Sequence, residues 1–315
     1  MSIKNKYFII TIDTEADNQW DLNHPITTEN AKYLPRFQEL CEKYGFKPVW
    51  LTNYEMAMDD DFVSYMKPKQ EAGLCEIGMH LHAWYTPPEY KLAKISEGRE
   101  YLIEYPENIM DEKIATMTEL ITERFGVRPV SHRAGRWAMD DRYFKLLEKH
   151  GYLVDCSVTP GMDWSGHIGV TGVGGSDYSE APLIPYMIGE KLLEVPLTIR
   201  DIRIFDRGMV RGVRSCLSEC KKLLLGRKQW LRQDNTLSWI SNLKLIDKVS
   251  KEKDTDYLMF MIHSSELMPG GSPTFSTKGD IEWLYVALEN IFSKINSLGY
   301  KGCMLKNYAE MKVKE

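Results

Sequence analysis

Short apolar runs recur along the chain, and five of them end in a group suited to acid–base or metal chemistry. YFIITI runs into Asp13 and Glu15, CEIGM into His80 and His82, RPVSH into Arg133, YLVD ends at Asp155, and YLMFMI ends at His263. KPVWLT reads as a further strand and GCMLKNY as one that closes the sheet. Between the runs the apolar period changes from 2 to 3.6. Residues 28–44 put Tyr33, Leu34, Phe37, Leu40 and Cys41 on one helical stripe, with Pro35 predicting a late start or a kink. Other helices are predicted over 60–71, 111–125, 140–150, 237–249 and along the stripe from Ile281 to Leu298. Strands alternating with amphipathic helices imply right-handed βαβ units and a mostly parallel sheet. Polar groups gathered at the C-terminal ends of buried strands are how an α/β barrel builds an active site.

The rhythm breaks between about residues 160 and 235, where a Gly-rich piece is followed by a segment carrying Arg200, Arg203, Arg207, Arg211, Arg214, Lys221, Lys222, Arg227, Lys228 and Arg232. This interval is predicted to be an insertion over one end of a single 315-residue domain. Its arginines could hold a diphosphate or rest on an anionic leaflet, with Trp230 and Leu231 as interfacial anchors, or simply form a solvated face.

Composition narrows the class. With 43% hydrophobic and 27% charged residues the chain can bury a substantial core. A net charge of -5 gives no whole-protein field for nucleic acid, so no nucleic-acid partner is expected. The amino-terminal run is too short for a signal-peptide core and no stretch suits a membrane span, which sets a cytoplasmic expectation. Cys41, Cys75, Cys156, Cys216, Cys220 and Cys303 show no CxxC pair and are expected to be reduced thiols.

Asp13 and Glu15 are two apart, so on an extended strand both carboxylates face one side, and one can serve as base while the other holds a cation. The same parity lets His80 and His82 present two imidazoles to one ion, a donor set suited to zinc or another divalent first-row metal. SHRAGRW supplies Arg133, Arg136 and Trp137, and an arginine beside Asp13 would keep it ionised. Trp164 follows Asp155 as a platform for a sugar face or as a buried staple for its loop. His263, followed by SSELMPGG, sits where it could shuttle a proton.

TIDTE, EIGMHLHAW, SHRAGRW, VDCSVTPGMDW and IHSSELMPGGSP occur in this order. In these blocks the chain resembles the NodB-type polysaccharide deacetylases, also called carbohydrate esterase family four, from about residue 7 to the end. The resemblance implies an α/β fold, a distorted (β/α) barrel, and metal-dependent removal of an N-acyl group from an amino sugar. Carried over by residue, it implies Asp13 as catalytic base, Arg133 as its tether, His263 as general acid and Asp155 as the group that tunes His263. Glu15, His80 and His82 are the implied metal ligands, with zinc as the metal. Trp84, Arg136, Trp137, Trp164 and Ser264 are the expected substrate contacts.

Two departures stand out. Thr14 occupies the place of the family's second aspartate, and Trp84 the place of its second metal histidine. The expected substrate is a nucleotide-linked or lipid-linked amino sugar met inside the cell. Rival readings are a metal-independent cyclic amide hydrolase, a deformylase of a lipid-linked amino sugar and a non-catalytic glycan-binding module.

Overall fold

In a computed structural model of the chain, residues 5–19, 25–202, 227–234 and 238–314 are described. A curled, mainly parallel sheet runs in the order β10-β1-β2-β3-β4-β5-β7-β6. Its strands are β1 (Tyr7–Thr14), β2 (Val49–Thr52), β3 (Glu76–Leu81), β4 (Ser131–Ala134), β5 (Val154–Asp155), β6 (Tyr186–Ile188), β7 (Leu192–Glu194) and β10 (Tyr257–His263). β6 is the antiparallel member, and β11 (Lys301–Gly302) pairs with the start of β1. A separate hairpin joins β8 (Ile199–Ile202) to β9 (Arg227–Trp230).

The sheet is buried on both faces, which is why the strands read as continuous apolar runs. One face looks into the barrel, where Ile9, Val49, Leu51, Val154, Cys156, Leu193, Met259 and Met261 form a compact interior cluster. The alternate residues Phe8, Ile10, Ile12, Trp50, Ile77 and Met79 pack outward against the helices. The ring is completed by an irregular seam rather than by a strand. The Leu231 N–H donates to the Thr198 carbonyl, and the Leu231 carbonyl accepts from Met261 N–H at 3.1 Å.

Helix termini follow their local signals. The helix Asp60–Glu71 starts where the Asp59 carboxylate accepts from the Phe62 N–H, and Lys278–Ser297 starts at a capping box on Thr277 and Asp280. Pro35 lies in the first turn of Leu34–Lys43, so the stripe begins late after a short 3-10 turn at Glu29–Tyr33. The helix Glu107–Phe125 begins four residues before its expected start, because Pro106 opens it.

Three expectations are corrected. GCMLKNY contributes only Gly302 to a strand, the second residue of β11, and Leu305–Lys312 is helical. The interval 160–235 supplies β7 to the main sheet, so part of it is structural wall. Leu231 is 1% exposed and plugs the seam, so it cannot serve as an interfacial anchor. Arg203, Arg207, Arg211, Arg214, Lys221, Lys222, Cys216 and Cys220 lie outside the described residues. Cys41, Cys75, Cys156 and Cys303 are buried free thiols. No helix among the described residues is long and apolar enough to cross a membrane.

Candidate active site

The C-terminal ends of β1, β3, β4 and β10 converge on the floor of a cleft of about 700 Å³. β1 and β10 pair in register Asp13↔His263, and β3 and β4 pair in register His80↔Arg133, so strand parity aims all four side chains inward.

Arg133 is fully buried and spans the barrel interior. Its Nη1 donates to Asp13 Oδ1 at 2.5 Å, its Nη2 to Thr11 Oγ1 at 2.8 Å and its Nε to the Cys156 carbonyl at 3.1 Å. This leaves Asp13 Oδ2 turned toward His263 Nε2 at 3.8 Å and His80 Nε2 at 4.0 Å. Burial alone would raise the Asp13 pKa, but the charges of Arg133, His80 and His263 outweigh it and hold the carboxyl below its usual value.

Glu15, His80 and His82 form a buried trio whose ligand atoms all lie within 4.8 Å of one another. The Arg133 carbonyl can only accept, so its 3.0 Å contact fixes the proton of His80 on Nδ1 and frees Nε2. His82 Nε2 lies 3.3 Å from Glu15 Oε2 and 2.9 Å from His80 Nε2. Burial lowers the His80 pKa to about 4 and puts that of His82 well below 6.5, so both imidazoles are neutral as ligation requires. Burial also pushes Glu15 up to about 8. Two neutral imidazoles facing a carboxylate that is costly to ionise form a set that a divalent cation would satisfy. The site thus fits the expected metal.

Local sequence explains the placement. A Cβ on Gly135 would lie 2.7 Å from the Leu81 carbonyl oxygen and 2.8 Å from His82 Cδ2, so the glycine of RAGRW leaves room for the second histidine. Arg136 and Trp137 both take positive φ, 55° and 62°, a conformation costing on the order of 1–3 kcal/mol for each non-glycine residue. The loop is held by Tyr178 Oη donating to the Trp137 carbonyl at 2.6 Å and by Arg136 stacking 4.0 Å over the Tyr101 ring.

Trp84, Arg136, Trp137 and Trp164 line the cleft. Trp84 stacks on His82 at 4.2 Å, so the residue in place of a histidine packs against its substitute. Ser264 does not line it. It is fully buried, and its hydroxyl donates to the Glu15 carbonyl and accepts from the Glu15 N–H, tying the tips of β10 and β1 together.

Asp155 is also placed differently from expectation. Val154 and Cys156 face the barrel interior, so Asp155 faces outward, where it bonds His132 Nδ1 at 2.6 Å and Ser157 Oγ at 2.8 Å. The carboxylate beside His263 is Glu266, which accepts from the His263 N–H at 2.9 Å and lies 3.2 Å from Nδ1. Arg232 Nη2 donates to the other Glu266 oxygen at 2.8 Å. Burial would raise Glu266, but Arg232 and His263 hold it at about 2. Burial would lower His263, yet Glu15 and Glu266 raise it above its usual value.

Glu266→Gln removes one of those negative charges, so the His263 pKa falls and its protonated form is lost at lower pH. The alkaline limb of the kcat/KM profile is expected to move to lower pH, read from a pH–rate series on both proteins. An unmoved limb would show that Glu266 does not set the proton affinity of His263.

Glu266 and Arg99 were not singled out by the sequence pattern, whereas Lys228 and Arg232 were read as part of the basic segment and Trp230 as an interfacial anchor, none of them as a residue of this cleft. The E in SSEL, three after His263, was the available signal for the first. The others reach the cleft only through tertiary closure.

No family model matches the chain, and no curated protein matches it in sequence. Solved structures do resemble it in fold. A Mycobacterium smegmatis protein assigned as a polysaccharide deacetylase is 15% identical at a TM-score of 0.54, over 99% of this chain and 92% of that one. Puue allantoinase is 12% identical at 0.53, over 96% and 88%. A 4-alpha-glucanotransferase from Thermococcus litoralis is 12% identical at 0.55, over 97% of this chain but 40% of that one. The fold is the distorted α/β barrel of the polysaccharide deacetylases.

Proposed function

We propose that this chain is a metal-dependent hydrolase that removes an N-acyl group, acetyl in the simplest case, from an amino sugar. The observation that carries the reading is Asp13, held by buried Arg133, with its free oxygen facing both His263 and His80 of the Glu15/His80/His82 trio. The fold shared with a protein assigned as a polysaccharide deacetylase supports it.

Glu15, His80 and His82 would hold zinc, which supplies Lewis-acid polarisation of the amide carbonyl and acidifies water. Asp13 Oδ2, ionised and aimed into the cleft, takes the proton of the attacking water. Arg133 keeps Oδ1 occupied, so Oδ2 is the basic atom. His263 Nε2 gives its proton to the departing amine, while Nδ1 stays against Glu266. The indoles of Trp137, Trp164 and Trp230 suit a sugar face. A cytoplasmic setting and a precursor rather than a finished polymer belong to the same proposal.

The fold shared with Puue allantoinase leaves one second reading, a cyclic amide hydrolase, which we take in its metal-independent form as the rival to test. Metal analysis separates the two. Protein purified without chelator is expected to carry one zinc ion per chain, and Glu15→Ala or His80→Ala to lose it. A wild type that hydrolyses its substrate at full rate after chelation and verified removal of metal would favour the second reading.

A further inference from the structure

The floor of the cleft is built for hydrolysis, but its walls carry positive charge that the hydrolytic step does not use. Arg99 follows β3, Arg136 follows β4, and Lys228 lies on β9, so three separate segments bring a cation to one cleft. Arg232 is a fourth, already committed to Glu266. Among the described residues, none of the first three has a carboxylate partner. Arg99 Nη1 donates to Tyr85 Oη at 3.0 Å, and its Nε is buried without a hydrogen-bond partner. Arg136 donates to the Arg99 carbonyl. The Lys228 ammonium lies over Gly161, which takes the left-handed backbone that favours glycine, at φ 77°.

Some cations at the surface do find carboxylates. Arg36 meets Glu282, Lys43 meets Glu289 and Lys149 meets Asp111, each with an exposed ammonium or guanidinium. Arg99 lies over the Trp84 and Tyr85 rings and within reach of the Glu55 charge, and Arg136 lies over Tyr101, so the guanidinium groups are placed by rings rather than by a salt bridge. Cations converging on a cleft lined by indoles suggest an anion that arrives with the ligand. Trp230 stands 5.7 Å from Trp137 and 6.2 Å from Trp164, an apolar wall for a sugar ring beside the charged groups. Two guanidinium forks and an ammonium match the several oxygens of a phosphoryl group, whereas one carboxylate would leave most of that charge unmet. Lys228 also borders a second hollow of about 350 Å³, lined by Arg200 and Lys248 and also by Glu180 and Asp201.

Resting on the deacylase reading, we infer that the cleft takes its amino sugar as a glycosyl phosphate or diphosphate, whose phosphoryl oxygens are held by Lys228, Arg99 and Arg136. Nucleotide-linked and lipid-linked sugars share this chemistry.

Calorimetric titration of the zinc-loaded protein tests binding apart from turnover. The ligands are N-acetylglucosamine, its 1-phosphate, UDP-N-acetylglucosamine and N-acetylglucosaminyl prenyl diphosphate in detergent. The phosphorylated forms are expected to bind at least about 10-fold more tightly than the neutral sugar, as expected for charge-assisted hydrogen bonds. That preference should shrink as salt is raised. Lys228→Ala and Arg99→Ala should each remove most of the preference, and Lys228→Glu should remove more than Lys228→Ala. The tightest phosphorylated ligand identifies the source.

Equal affinity for neutral and phosphorylated sugars would overturn the inference. So would a preference unchanged in Lys228→Ala and Arg99→Ala folded as wild type by circular dichroism, because the phosphate would then be held by the metal alone. Phosphate-dependent binding without acyl release would leave the subsite standing and remove the deacylase reading. Acyl release without phosphate preference would do the reverse.

Discussion

His263→Ala lowers kcat by roughly 10²- to 10⁴-fold while zinc content stays at the wild-type level. The two halves of this expectation come from separate geometry. His263 Nε2 faces Asp13 Oδ2 at 3.8 Å, and it is not one of the three clustered donors. Its loss removes the group that protonates the leaving amine, without which an amide expels a poor leaving group. Steady-state kinetics with elemental analysis of the same preparation reads both quantities. Full activity would end the role of His263, and joint loss of metal and activity would move it into the ligand set.

Arg133→Met is expected to destabilise the fold by about 3–5 kcal/mol, the magnitude for breaking a buried ion pair at one partner. Asp13 is 2% exposed and Arg133 wholly buried, so deletion strands an anion in the barrel interior together with the Thr11 and Cys156 oxygens. The sign with pH follows from the depressed Asp13. In the wild type its pair contributes stability above the ordinary carboxyl pKa of 3.8, and loses it as pH falls through the lowered folded value. In Arg133→Met the largest influence left is burial, which raises the carboxyl, so the acid-side loss is replaced by a penalty that grows as pH rises. Urea midpoints measured for Arg133→Met and for Arg133→Met with Asp13→Asn check this. The second substitution should recover part of the loss, and a purely additive result would deny the coupling.

Much of the site was legible because its signal is local. Asp13/Glu15 and His80/His82 share parity on extended chain, and parity is fixed by two positions of sequence. Arg133 and His263 lie on strands long enough to be read and opposite partners that the parallel register brings level. Asp155 was misjudged for a physical reason. β5 has only two residues and both faces of the sheet are buried, so no polar–apolar alternation reveals which face a carboxylate takes. Ser264 shows the limit of inferring contact from adjacency, since the residue after His263 turns away from the cleft to bind the Glu15 backbone. Trp230 and Arg232 join the cleft through the Leu231 seam, a closure between segments thirty or more residues apart that no local period encodes. The longer helices were legible in register, and their ends moved by the few residues that caps decide, whereas the start of Leu305–Lys312 read as strand.

Acyl release is the measurement closest to the central claim. Zinc-loaded wild type incubated with an N-acyl amino sugar phosphate should liberate free carboxylic acid and free amine in equal amounts, and Asp13→Asn should liberate neither above background. Acid and amine formed equally well by Asp13→Asn, or no release by the metal-loaded wild type from any N-acyl amino sugar, phosphorylated or neutral, would contradict it.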